Sequence, residues 1–286
     1  MRNRFIIIFV FVILALGWLL MPAAQIFVNP PTAASQSFGE QLWQGFYAAT
    51  NGKSETEFNN ISGPNVTWNT NGILYGLKGF TGFSDLNYVR SYGTEIPATA
   101  LTPRHIYVRG HDNGATNAAV DPANFIGKYY IFLTASNQVV TARVKAAFKR
   151  IGTFNGVYQD YCILLLSNAL PADIQCVKMA DPTAFAAKLA LEPSVFWWPR
   201  TDPQLGTCTH NIVGTVPTTA SGHSMFISGD SGSPNFYVLK GEIIMLSGRT
   251  TSGYSAQMQA DVDALSAWEG LNPADYKIQL LDLSQL

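Results

Sequence analysis

From about residue 67 the chain alternates short apolar runs with turn residues. TWNTNGILYGL (67–77), ALTPRHIYVRG (100–110), KYYIFLTA (128–135), QVVTARVKAAF (138–148) and DYCILLL (160–166) are rich in Val, Ile, Tyr and Phe, and Gly, Asn, Pro and Asp separate them. Such runs are strand signals. Their recurrence, with few long helical periods, predicts a barrel or sandwich. Met258, Val262 and Leu265 recur at helical spacing and predict a helix within 255–270. PTAFAAKLAL (182–191) predicts a brief helix between two halves of the chain, and YKIQLLDL (276–283) predicts a final strand. Upstream, NPPTAASQS (29–37) breaks any helix, GEQLWQGFYAAT (39–50) can form a short one, and NGKSETEFNNISGPN (51–65) is polar and turn-rich. Residues 29–66 therefore read as a linker and lead-in segment. At 286 residues the chain suits one large all-β domain or two smaller halves packed together.

The N-terminus follows a different pattern. Arg2 and Arg4 precede Phe5–Met21, seventeen residues without a charge or strong polar group. This is a basic n-region followed by an apolar h-region. Residues 1–28 are either a cleaved signal peptide or a retained membrane anchor. The run is long for a signal and just adequate for a span. Cleavage after Ala24 would set Pro22 at the −3 position, while the better cleavage sequence Thr32-Ala33-Ala34 lies far from the arginines. Both readings leave the arginines inside and place the rest of the chain outside the cytoplasm, secreted or membrane-attached through residues 5–21.

Composition narrows the function. Charged residues are 13% of the chain against about 25% in soluble domains, and formal net charge is −1. No basic run follows Arg4, so nucleic-acid binding through clustered Lys and Arg is unsupported. Cys162, Cys176 and Cys208 make an odd count: one bridge with a free thiol, or three thiols. No Cys-x-x-Cys or His-x-x-x-His spacing points to a metal.

Candidate chemistry centres on GDSGSP, Gly229–Pro234. Gly229 and Gly232 let the backbone bend sharply and approach a substrate closely. A serine hydroxyl needs a base, and the base needs an orienting group. GDSGSP is similar to the GDSGGP of trypsin-like serine peptidases, and two upstream motifs resemble that family as well. Thr102-Pro103-Arg104-His105 resembles the Ser-Pro-Arg-His lead of bacterial members, which several apolar residues separate from the catalytic base; that position is His111. Six strand residues put His105 and His111 roughly 20 Å apart, so one alone can reach Ser231. GVYQDYCILLLSNALP places Asp160 before an apolar strand, as in the family's Asp-x-Ala-Leu-Leu-x-Leu, with Cys162 in place of the small alanine. The order His, Asp, Ser has gaps of 49 and 71 residues. It is wrong for an α/β-hydrolase esterase, whose order is Ser, Asp, His.

The resemblance is carried by three short motifs across about 67–270. It implies an all-β peptidase domain over 67–286: two antiparallel six-stranded β-barrels with a boundary at about 175–200, the active site in the cleft between them, and a C-terminal helix. It implies a serine endopeptidase acting on polypeptide without a cofactor or metal. Ser231 would be the nucleophile, His111 the base, Asp160 the orienter, and the N–H groups of Gly229 and Ser231 the oxyanion hole. Met225, six residues before the nucleophile, and Phe226 would give a shallow apolar or nearly filled pocket with no preference for Lys or Arg. Ser247, Gly248 and Arg249 replace the family's Ser-Trp-Gly segment that binds substrate backbone. Arg249 either favours an acidic residue or caps the pocket, and His223 lies close enough in sequence to line it.

Three features depart from the family. Arg109-Gly110 stands where two alanines usually precede the base, and Arg109 is expected to face solvent. Asp230 lacks an evident partner, because no Arg-Ile-Val-Gly-Gly-type activation site is present. Residues 276–286 extend beyond the usual final helix. Arg109 and the crowded Met225-Phe226 pocket favour the alternative of an inactive trypsin-like fold used as a binding module.

Overall fold

A computed structural model describes residue 70 and residues 81–84, 98–111, 121–154, 157–181, 184–185, 194–199, 206–211, 218–219, 234–239, 242–248 and 254–285. The predicted segments at 1–28, 39–50 and 67–77 lie outside the described structure, apart from Thr70. So does the 182–191 helix, except Ala184 and Phe185, which are helical.

Six strands form a nearly closed antiparallel barrel: β1 (Phe83–Ser84), β2 (Ala98–Thr102), β3 (His105–Arg109), β4 (Tyr129–Leu133), β5 (Val139–Phe154) and β6 (Val157–Leu166). Their order is β1-β2-β3-β6-β5-β4. The ends meet where the Ser84 hydroxyl donates to the Ile131 carbonyl at 2.6 Å. The single run expected over 100–110 is in fact two strands. Pro103 has no N–H to give a ladder, and the Thr102 hydroxyl accepts from the N–H groups of Arg104 (3.2 Å) and His105 (3.1 Å), closing a tight turn. A register shift between Val144 and Ala146 bends β5, which pairs with β4 before it and with β6 after it.

The uninterrupted apolar run of β6 reflects burial on both faces. Cys162, Leu164 and Leu166 point into the barrel with Ile106, Val108, Phe125 and Phe132. Ile163 and Leu165 face outward, where Tyr107, Met179, Met245, Met258, Val262 and Leu265 cover them. The last three belong to helix α1 (Ala256–Trp268), whose N-cap Ser255 accepts from the Met258 N–H. Gly270, at φ +73°, takes the left-handed turn after it. Each fully buried apolar side chain contributes about 1.5–3 kcal/mol.

The second half shows a seven-stranded sheet rather than the expected second antiparallel barrel. It contains β7 (Lys178–Met179), β8 (Ser194–Pro199), β9 (Gly206–Asn211), β10 (Thr218–Thr219), β11 (Pro234–Leu239), β12 (Glu242–Gly248) and β13 (Gln279–Leu280). The order is β10-β9-β8-β11-β12-β7-β13, and β7 lies parallel to both β12 and β13. The strand expected at 276–283 is reduced to two residues. Asn272 and Pro273 start a 3-10 turn before it, and another turn at Leu283–Gln285 follows.

Cys162 and Cys176 are free thiols, and burial pushes both up to about 12. They are therefore protonated and unreactive at neutral pH. The side chain of Cys208 lies outside the described residues. Among those residues no helix is long and apolar enough to cross a membrane, and no group of three or more His, Cys, Asp and Glu converges to hold a metal ion.

His105 ties the barrel to α1. Its Nδ1 lies 2.8 Å from the Thr102 hydroxyl and its Nε2 3.1 Å from the Ser266 hydroxyl, with Tyr276 edge-on at 5.6 Å. Burial, reinforced by Arg104 and opposed by Asp263, lowers it from 6.5 to about 4. The unfolded chain therefore binds this proton first as pH falls. The contribution is fully present above about pH 6.5 and is lost on descent to about 4, a change of about 3 kcal/mol. Urea melts at pH 7.5 and 4.5 are expected to show this loss, and His105→Gln to flatten it.

Candidate active site

His111 and Asp160 come from neighbouring strand ends. β3 and β6 pair from His105↔Leu165 to Arg109↔Tyr161. His111 lies two residues beyond the last pair on one strand, and Asp160 one residue beyond it on the other. Strand pairing thus brings together side chains 49 residues apart: His111 Nδ1 lies 2.5 Å from Asp160 Oδ2. The His111 side chain keeps 12% of its surface exposed and that of Asp160 only 4%. A buried carboxylate facing one ring nitrogen fixes the tautomer. Nδ1 carries the hydrogen, and Nε2 is left with a lone pair able to take a proton.

The other carboxylate oxygen, Asp160 Oδ1, is buried without a hydrogen-bond partner among the described residues. It rests against Gly110. A Cβ at position 110 would fall 2.7 Å from Asp160 Oδ1 and 2.9 Å from both Ile151 Cγ1 and the Tyr161 nitrogen. The alanine usual in the resembled family does not fit here. Gly110→Ala is expected to destabilise by about 1–3 kcal/mol through overpacking. By shifting Asp160 it is also expected to lower any turnover by about 10²-fold. Urea unfolding alongside a steady-state assay measures both.

Arg109 corrects an expectation. It is fully buried, not solvent-facing. The reason is its strand position: Arg109 pairs with Tyr161 and alternates with Tyr107, so it belongs to the barrel face that other parts of the chain cover.

A second buried polar group adjoins the pair. Asp261 on α1 accepts from Arg150 Nε (2.5 Å) and Arg150 Nη2, from the Tyr161 hydroxyl (2.7 Å) and from Gln257 Nε2 (3.0 Å). The Arg150 guanidinium lies over the rings of Phe154 (4.6 Å) and Phe148 (5.3 Å). The Asp261 contact holds Arg150 more firmly charged, and burial with the Asp261 contact raises the Tyr161 hydroxyl. Sequence reasoning missed this group. The available signal was Asp261 itself, a carboxylate three residues from Met258 and four from Leu265 on the apolar stripe of α1.

Of the remaining candidates, Met225, Phe226, Gly229, Asp230, Ser231, Arg249 and His223 lie outside the described residues. Residues 234–239 and 242–248 are described. The motif's final residue, Pro234, opens β11 and pairs with Gly248, while Asn235 pairs with Ser247. β11, which begins three residues after Ser231 in the chain, thus runs beside Ser247 and Gly248.

No family model matches this chain, and no curated protein matches it.

Proposed function

We propose that the chain is an exported serine endopeptidase in which Ser231, His111 and Asp160 act together, His111 and Asp160 from the barrel and Ser231 from the half that holds the second sheet. The observation that carries this reading is the 2.5 Å contact between His111 Nδ1 and Asp160 Oδ2. It supplies an oriented base whose side chain stays partly exposed. The pairing of Pro234 and Asn235 with Gly248 and Ser247 supports it, since Pro234 is the last residue of the proposed nucleophile motif and Ser247 and Gly248 belong to the proposed substrate-binding segment.

In this mechanism Ser231 Oγ attacks the scissile carbonyl carbon while His111 Nε2 takes its proton. Asp160 stabilises the imidazolium that forms. The N–H groups of Gly229 and Ser231 receive the oxyanion. Collapse of the tetrahedral species breaks the C–N bond, and His111 returns the proton to the leaving amine. Water, deprotonated by the same imidazole, then adds to the acyl-enzyme and releases the acid with Ser231 restored. Met225 and Phe226 give a shallow apolar pocket, Ser247, Gly248 and Arg249 hold substrate backbone, and no cofactor is required. Residues 5–21 deliver the chain across a membrane, either as a removed signal or as a retained anchor.

One observation favours a second reading, an inactive fold that binds polypeptide: Arg109 carries a buried guanidinium two residues from His111. Incubating the full chain with a peptide library and sequencing the products separates the two. Cleavage after small or apolar residues supports the peptidase. Intact peptides retained on the protein support the binding module.

A further inference from the structure

We propose that Asp261 of α1, through Tyr161 and Arg150, is a positioning clamp for Asp160. This rests on the proposed triad but concerns residues that touch no substrate.

Arg109↔Tyr161 is the last pair between β3 and β6. Beyond it, towards the hairpin tip, residues 157–160 of β6 pair, among the described residues, with β5 only. Among the described residues Asp160 is therefore the first on a two-stranded ribbon, and such ribbons twist more than wider sheets. Its own carboxylate does little to fix it: Oδ2 meets His111, and Oδ1 has no hydrogen-bond partner among the described residues. Something must hold the strand where three-stranded pairing ends.

Asp261 is placed to do so. It is 3% exposed and accepts four donors, three of them from the two residues that face each other at this point, Arg150 on β5 and Tyr161 on β6. These contacts cross 111 and 100 residues of chain. A buried carboxylate so fully satisfied fixes geometry tightly, and breaking any one partner leaves the others uncompensated. α1 is fastened to the same cluster by Met258, Val262 and Leu265. The clamp joins both strands to a rigid helix one residue from Asp160.

The test uses Tyr161→Phe and Asp261→Asn in the full chain. Tyr161→Phe removes one hydroxyl and keeps the ring, so it preserves the fold and decides the question even where Asp261→Asn unfolds the chain. Two readouts are followed: the downfield proton resonance of His111 Nδ1–H, and steady-state peptide cleavage. The clamp predicts that the resonance moves upfield and broadens in both variants. It also predicts that kcat falls about 10- to 100-fold while KM changes less than about twofold, as expected for a misplaced catalytic group. Variants that melt earlier yet keep the wild-type resonance and kcat would overturn it and leave Asp261 a helix fastener only. A resonance that responds to Tyr161→Phe in a chain that cleaves no peptide upholds the clamp while removing the peptidase reading.

Discussion

Peptide hydrolysis is expected to fall by about 10⁶-fold in Ser231→Ala, because an alanine offers no nucleophile and the covalent route closes. His111→Ala is expected to cost the same, since an unassisted serine hydroxyl does not attack an amide at neutral pH. The double variant is the sharper result. Residues acting as one unit are non-additive, so Ser231→Ala with His111→Ala should be no slower than either alone. Stopped assays at high enzyme concentration read these values. A double variant with multiplied losses would mean that the two residues act separately.

Asp160→Asn is expected to lower kcat by about 10⁴-fold with the fold intact. The two side chains have nearly the same shape, so the close approach of position 160 to Gly110 survives. What changes is the face presented to His111 Nδ1, 2.5 Å away. An amide nitrogen there donates, which forces the imidazole hydrogen onto Nε2 and removes the lone pair that would deprotonate Ser231. The loss should shrink as pH rises, where hydroxide can replace the base. Circular dichroism and urea melts matching wild type would show that chemistry, not folding, was affected. A loss below tenfold would leave Asp160 a structural neighbour of His111 with no part in orienting it.

The two halves of the site were legible for different reasons. His111 and Asp160 stand beside strand signals whose local patterns are visible without tertiary information: an apolar run ending in Gly110-His111, and Asp160 opening DYCILLL. Their meeting needed only that β3 and β6 pair in register. Arg109 was misread because its neighbours suggest a turn into solvent, whereas its burial depends on elements far along the chain. The Arg150–Asp261–Tyr161 group was missed for the same reason: Asp261 lies 111 and 100 residues from its partners Arg150 and Tyr161, and the local pattern shows only a carboxylate on the apolar stripe of α1.

Architecture divides in a similar way. The first barrel's strands are bounded by turn residues, and even the split of residues 100–110 has a local cause in Thr102 and Pro103. The mixed second sheet is not local. Two-residue β7 and β13 carry too little sequence to declare themselves, and both take their place by lying parallel to neighbours brought up from elsewhere in the chain.

The most direct measurement is the mapping of a fluorophosphonate adduct on the full chain by peptide mass spectrometry, with Ser231→Ala and Asp160→Asn in parallel. The account predicts a single phosphonylated peptide containing Ser231, sharply reduced labelling in Asp160→Asn and none in Ser231→Ala. An adduct that persists in Ser231→Ala, or an intact protein that takes up no label at all, would contradict it.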